Sequence, residues 1–181
     1  GCATAGRGWQ PAHLVARDAT GAAVGVMPLY AKDHSYGEYV FDHAWADALE
    51  RAGGRYYPKL QCAVPFTPVP GRRIFARDAA VELALSQAAI GLAQRSGASS
   101  VHVTFAREEL AERLAPLGYL KRTGIQYHWF NRDYSTFQDF LADLSSQKRK
   151  TIRRERERAK EGLRVRRLRG DEITKADWDF F

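Results

Sequence analysis

The chain is 181 residues long, 45% hydrophobic, and carries a formal net charge of +7. This length accommodates one domain with a sizeable core, or one domain and part of another, and the lack of any long apolar run excludes a membrane-spanning helix. Cys2 and Cys62 are too few for a disulfide framework and the five histidines (His13, His34, His43, His102, His128) show no paired ligand spacing, so no metal site is expected and a reducing cytoplasm is the default location.

Residues 13–17 and 22–30 read as two strands joined by Asp18-Ala19-Thr20-Gly21. The second arm of this hairpin should splay near Pro28, which has no N–H to give to a ladder. Residues 44–52 predict a short helix closed by Gly53-Gly54, and residues 56–64 a strand ended by Pro65, Pro68, Pro70 and Gly71. Asp78 is a good N-cap for the longest helix, 79–95, with Val81, Leu85, Ala88, Ala89 and Leu92 on one face and Gly97 just past the end. Residues 99–105 alternate as a strand, so that strand, helix and strand form a right-handed crossover. A short helix over 107–115 turns Leu110 and Leu114 inward and stops at Pro116 and Gly118, and two strands, 119–122 and 125–131, are expected across Thr123-Gly124. Phe137, Phe140, Leu141 and Leu144 then recur at helical spacing, a second and almost entirely charged helix covers 147–161, residues 163–168 read as a strand, and another helix starts at Asp171. The resulting class is α/β (α+β), a mixed central sheet flanked by helices.

Charge is concentrated in one segment. Residues 148–169 hold twelve Lys or Arg against three Glu, a net +9, which leaves −2 on the rest of the chain. Pairs such as Arg153 and Glu157 at i,i+4 allow some self-pairing on a solvated face. The excess exceeds what pairing needs, and Lys148, Arg149, Arg153 and Arg154 are the candidate contacts to a polyanion such as tRNA or a diphosphate head group. Aromatic residues are scarce within the run, which argues against readout of bases.

The stretch over 34–73 gathers Tyr36, Tyr39, Phe41, Trp45, Tyr56, Tyr57 and Phe66 among Glu38, Asp42, Asp47, Lys59, Arg72 and Arg73. Rings that bury area and a few polar groups that set orientation are what a concave ligand site is made of, and also what a satellite core is made of. His102 and His128-Trp129 read as packing residues of strands. The chain starts without Met and stops within the apolar-aromatic run Trp178-Asp179-Phe180-Phe181, so it reads as a piece of a longer protein.

The helix, strand, helix and following Leu117-Gly118-Tyr119 resemble the second half of the GNAT acyltransferase fold. Ser145-Ser146-Gln147-Lys148-Arg149-Lys150-Thr151-Ile152-Arg153-Arg154-Glu155 resembles the Ser-x-(Lys/Arg)-x-x-Ile-Arg-(Lys/Arg) segment of FemAB-like proteins. The runs at 34–42, 56–61 and 65–68 resemble one FemAB-like subgroup concerned with peptidoglycan biosynthesis or recognition. The resemblance implies two GNAT-like domains in tandem: residues 1–134 as the first, lacking its opening strand and helices, 135–162 as a helical basic connector, and 163–181 as the start of the second. It also implies acyl or aminoacyl transfer to an amine of a cell-wall precursor, with aminoacyl-tRNA or acyl-CoA as donor substrate and no cofactor held by this part of the chain.

Such a transfer needs a group that takes a proton from the acceptor ammonium and donors that hold the developing oxyanion. Glu38 and Asp42, with His34 behind them, are the candidate bases, because burial in the aromatic stretch would raise a carboxylate pKa. Tyr57 and Lys59 are the candidate proton or hydrogen-bond donors, and His34, Tyr36, Tyr39, Gln61, Phe66, Thr67, Arg72 and Arg73 the candidate acceptor-binding set. Where an acetyl-CoA enzyme of the GNAT type carries a Gly-rich turn, this chain has Pro65-Phe66-Thr67-Pro68-Val69-Pro70-Gly71, whose three prolines offer no N–H to a pyrophosphate. Two alternatives to the transferase remain: a non-catalytic module that recognises a precursor or nucleic acid, and an acetyl-CoA-dependent small-molecule N-acyltransferase.

Overall fold

The computed structural model describes residues 4–180, so expectations that rest on residues 1–3, Cys2 among them, or on Phe181 lie outside the described residues. The chain divides into two compact units, one up to residue 125 and one from residue 126 onward.

In the first unit, the hairpin at the start runs through two sheets. Strands β2 (Leu14–Arg17) and β3 (Ala23–Met27) pair antiparallel, and the Asp18 carboxylate closes their turn by accepting from the backbone N–H groups of Thr20 and Ala22 at 3.0 and 3.1 Å. Farther from the turn the same two arms pair again as β1 (Gln10–Pro11) and β4 (Tyr30–Lys32), now in the other sheet. The corner falls where Pro28 interrupts the ladder; Ala12 N–H donates to the Leu29 carbonyl at 2.8 Å and Leu29 N–H to His13 Nδ1 at 3.1 Å. The splay expected at Pro28 is thus a change of sheet.

Helix α1 (His43–Arg51) precedes β5 (Lys59–Cys62), and β6 (Phe75–Ala76) leads into α2 (Ala79–Ser96). β7 (Val101–Val103) and α3 (Glu108–Leu114) follow. The sheets have the orders β2-β3-β6 and β1-β4-β5-β7, with β5 antiparallel to β4 and parallel to β7. Asp78 caps α2 through the backbone N–H of Val81 at 2.9 Å, and Gly97 ends it at φ +68°, in the left-handed region open to glycine. The main core joins Leu60 and Cys62 of β5 and Met27 and Leu29 of the hairpin to Leu85, Ala89 and Ala93 of α2 and Leu110 and Leu114 of α3. Each fully buried Leu or Met in it contributes about 1.5–3 kcal/mol.

Three expected strands are absent. Residues 119–122, 125–131 and 163–168 form no ladder, and most of their apolar side chains stay in solvent: Leu120 is 95% exposed, Tyr127 94% and Val165 79%, whereas Tyr119 packs on the core and donates to the Ser86 carbonyl at 3.1 Å. An extended run is a strand only when a neighbouring strand takes its N–H and C=O groups, and these runs pair with no strand among the described residues. In the second unit, Thr136 and Asp139 make a reciprocal capping box for α4 (Phe137–Ala142), and α5 (Ser146–Lys160) follows. The helix expected from Asp171 begins as a 3-10 turn, Gly170–Glu172, and resumes as α6 (Lys175–Phe180).

Candidate functional site

Side chains alternate across a strand, so β5 presents Leu60 and Cys62 to the apolar core and Lys59 and Gln61 to the opposite face. Register extends that polar face across the sheet. Lys32 of β4 stands directly opposite Lys59, and Tyr30, Gln61 and His102 form the next cross-strand row. Lys32 is 1% exposed and Lys59 and Gln61 are 0% exposed. Two buried ammonium groups facing each other across a ladder are tolerable only if anions sit against them.

Residues 33–57, which connect β4 to β5, supply the anions. Lys59 Nζ donates to Glu38 Oε2 at 2.8 Å, to Asp42 Oδ2 at 2.7 Å and to Ser35 Oγ at 2.7 Å. Asp42 Oδ2 also accepts from the Tyr56 hydroxyl at 2.7 Å, and Ser35 Oγ shares a 2.8 Å hydrogen bond with the Tyr57 hydroxyl. Lys32 Nζ lies 3.8 Å from the centre of the Trp9 ring and donates to the Tyr36 carbonyl at 3.1 Å. All four candidate catalytic residues, Glu38, Asp42, Tyr57 and Lys59, therefore belong to one hydrogen-bonded cluster. Its formal charge is zero once Lys32 is counted. The loop that brings the carboxylates inward is tightly specified: Gly37 has φ +79°, a Cβ there would come within 2.8 Å of the Phe66 ring, and Phe66 N–H donates to the Gly37 carbonyl at 3.0 Å. Tyr39 and Phe41 hold φ of +57° and +49°, conformations that are strained for aromatic residues.

The two carboxylates titrate apart. Burial pushes the Glu38 carboxyl up, against the pull of Lys59. Asp42 is also raised by burial, but hydrogen bonds from Lys59, Ser35 and Tyr56 outweigh that and hold it far below the usual carboxylate range. Burial lowers Lys32 to about 8 in spite of the Glu38 charge. Burial, and then the Lys59 charge, lower His102 to about 4, so its ring is neutral at pH 7. Burial and hydrogen bonding thus shift the two carboxyls in opposite directions, Glu38 up and Asp42 down. Glu38 Oε1, Asp42 Oδ1 and Gln61 Oε1 have no hydrogen-bond partner among the described residues. All three accept hydrogen bonds and none donates in the ionised state, so the chemistry they would satisfy is that of a donor such as an ammonium.

The other candidates are placed differently. Gln61 Nε2 donates to Thr104 Oγ1 at 2.9 Å, within the buried face. His34 Nδ1 accepts from Tyr36 N–H at 3.0 Å at the protein surface. Tyr36 is 75% exposed and Tyr39 47%, and Phe41 and Trp45 are also outward. The aromatic stretch reads as either a ligand site walled by rings or a satellite core; in the structure the charges turn inward to the lysines and most rings face solvent, because an unpaired buried ammonium costs more than an exposed ring. Phe66 packs on Trp9 with ring centres 5.9 Å apart, and Thr67 Oγ1 donates to the Pro65 carbonyl at 3.1 Å. Arg72 is exposed, whereas the buried Arg73 donates to the carbonyls of Thr104 at 2.7 Å, Val69 at 2.6 Å and Arg72 at 3.3 Å, fastening the 64–74 loop to β7's end. Lys32, Ser35, Tyr56 and His102 belong to the cluster without having been singled out as site residues. Alternation within Tyr30-Ala31-Lys32 and Val101-His102-Val103 carries the signal for Lys32 and His102, but it is readable only once the sheet register is known.

The candidate polyanion contacts Lys148, Arg149, Arg153 and Arg154 all lie on α5. Arg153 donates to Gln138 Oε1 at 3.1 Å and forms no ion pair with Glu157. His128 and Trp129, expected to pack in a strand, are exposed, with Trp129 stacked on Tyr134. Among the described residues no group of His, Cys, Asp and Glu is arranged to hold a metal ion, and no helix is long and apolar enough to cross a membrane.

A model of the FemAB-like family, described as peptidoglycan biosynthesis/recognition, matches residues 1–181. No curated protein and no solved structure matches the chain.

Proposed function

Because the chain belongs to the FemAB-like family, concerned with peptidoglycan biosynthesis or recognition, we propose that it supplies the acceptor-binding part of a transferase that places an acyl or aminoacyl group on an amine of a peptidoglycan precursor. The observation that carries this reading is the buried cluster of Glu38, Asp42 and Lys59, with one unpartnered oxygen on each carboxylate and a third on Gln61 of the same strand as Lys59. An acceptor ammonium would donate to those oxygens. Glu38 takes one of its protons, the freed nitrogen attacks the acyl carbon, and the bond from that carbon to the donor oxygen breaks as that oxygen takes the second proton the nitrogen gives up. Asp42 stays ionised and holds Lys59, and the chain from Lys59 through Ser35 to the half-buried Tyr57 gives the proton a way out. Entry of the acceptor requires the strained 33–42 loop to lift from the sheet.

For the donor, aminoacyl-tRNA is favoured over acyl-CoA. The N-terminus of α2, where a pyrophosphate would be cradled, is already capped by the Asp78 carboxylate, and a second anion there would be repelled. The full closure of Lys59 favours a second reading, a module that recognises the precursor without turning it over.

One experiment separates the two. The protein is incubated with a soluble muramyl-peptide precursor and charged tRNA, and the precursor is examined by mass spectrometry. A mass gain of one aminoacyl residue that disappears in Glu38→Gln supports transfer; saturable precursor binding with no mass gain supports recognition alone.

A further inference from the structure

The second unit carries a surface that the transfer reaction does not use. Among the described residues its ion pairs join Arg132 to Asp143, Arg166 to Asp177 and Lys175 to Asp179, and none includes a residue of α5. That helix holds eight cations against Glu155 and Glu157. Three of its arginines turn toward α4: Arg149 donates to the Ala142 carbonyl at 3.3 Å, Arg153 to Gln138, and Arg156 lies 4.2 Å from the centre of the Phe137 ring. Lys148, Lys150, Arg154, Arg158 and Lys160 are left exposed, without a hydrogen-bond or ion-pair partner among the described residues.

The unit also carries exposed apolar side chains. Phe137 continues through Phe140 to Tyr134 and Trp129, with successive ring centres 5.8, 5.8 and 6.4 Å apart. Trp129 is 66% exposed and Phe130 77%. After α5, Leu163 and Val165, 67% and 79% exposed, alternate with Arg164 and Arg166.

Unpaired cations next to exposed rings fit two polyanions, a nucleic acid and a lipid surface, and the aliphatic residues decide between them. Bases stack on rings and gain little from Leu163 or Val165. The boundary between head groups and acyl chains takes indole, phenyl, leucyl and valyl groups alike, while its phosphates take Lys and Arg. We propose that the second unit docks on the surface of an anionic lipid bilayer, with α5 against the phosphates and Trp129, Phe130, Leu163 and Val165 in the head-group boundary. This surface is independent of the transfer site, and its test does not depend on turnover.

The test is flotation of the protein with vesicles of phosphatidylcholine alone and with vesicles in which about one third of the lipid is phosphatidylglycerol. Binding is expected only to the anionic vesicles and is released by high salt. Lys148→Gln, Arg154→Gln and Arg158→Gln should each weaken it about fivefold, since one basic residue near such a surface contributes about that factor. Trp129→Ser with Phe130→Ser should weaken it on both sides of the salt titration. The side chains of Lys148, Arg154 and Arg158 have no partner among the described residues, so unchanged far-UV circular dichroism is expected, and Lys148→Arg serves as the variant that retains binding. Equal binding to the two vesicle types, binding to neither, or tighter binding to oligouridylate than to anionic vesicles would each overturn the proposal, the last in favour of a nucleic-acid surface.

Discussion

Replacing Lys59 by Met keeps the length of the side chain and removes the charge that holds the buried cluster together. Lys59 Nζ makes three hydrogen bonds of 2.7–2.8 Å, two of them to carboxylates that are 1–2% exposed, so the substitution strands two anions in the interior. Removing one partner of a buried ion pair costs about 3–5 kcal/mol. That is a large share of the roughly 5–15 kcal/mol that holds a typical domain folded, and corresponds to a fall in Tm of about 10–15 °C. The loss should also depend on pH. Without Lys59, both carboxylates are held above their unfolded-state pKa, a cost that is full at neutral pH and fades as pH falls through the folded values. In the unaltered protein the Asp42 pKa is depressed, so its stabilisation is present at neutral pH and is lost as pH falls through that low value. Only the first effect acts above about pH 4, where it narrows the gap between variant and parent. Urea unfolding followed by circular dichroism at neutral pH and near pH 5 measures it. Adding Asp42→Asn to Lys59→Met should restore part of the loss, because Glu38 then remains as the anion facing Lys32 and no unbalanced charge is left. A Lys59→Met variant within about 1 kcal/mol of the parent at both pH values would refute the assignment of a closed, charge-balanced cluster.

Three further outcomes are expected. His102 is held neutral by burial, with its pKa lowered to about 4, so the unfolded chain binds the extra proton first and stability falls as pH drops from about 6.5 toward 4; His102→Gln should flatten that part of a pH-dependent urea titration, and an unchanged slope would show that the ring is not the titrating group. In Gly25→Ala the new Cβ would come within 2.6 Å of Val81 Cγ1 and 3.0 Å of Leu85 Cδ1, so the contact of β3 with α2 should be overpacked and thermal unfolding should report a loss of about 1–3 kcal/mol. Asp78→Ala removes the α2 cap and should cost about 1 kcal/mol; the same variant should gain no affinity for acetyl-CoA by calorimetry if the prolines of residues 65–70 already preclude a pyrophosphate cradle.

Much of the first unit was legible because its signals are local. The Asp78 and Gly97 caps, the apolar spacing of α2, the inward Leu110 and Leu114, and Pro28 as a breaker each act within a few residues, and each is found in place. The missing strands at 119–122, 125–131 and 163–168 have suitable composition, but a strand is completed by a partner, and composition carries no information about partners. The candidate site was half legible for the same reason. Glu38, Asp42, Tyr57 and Lys59 stand out as polar groups in an aromatic stretch; the pairing of Lys32 with Lys59 depends on a β4–β5 register that no local pattern announces.

That register bears on why the cluster exists. Four charges buried on one sheet face are seldom the most stable way to fill such a space, since well-packed apolar residues of similar volume are often equal or better by about 1–4 kcal/mol. The same strands show that an apolar solution was within reach: one side of β5 is Leu60 and Cys62 against α2, the other Lys59 and Gln61 under the 33–57 loop. The loop, too, is bent at some cost, with Tyr39 and Phe41 held at positive φ so that Glu38 and Asp42 reach the lysines. Stability alone accounts for neither feature. What a charged face provides and an apolar one cannot is a pair of carboxyls shifted in opposite directions, together with oxygens still able to receive a donor. Those are the requirements for receiving an amine, and they coincide on the one face of the sheet that the apolar core leaves free.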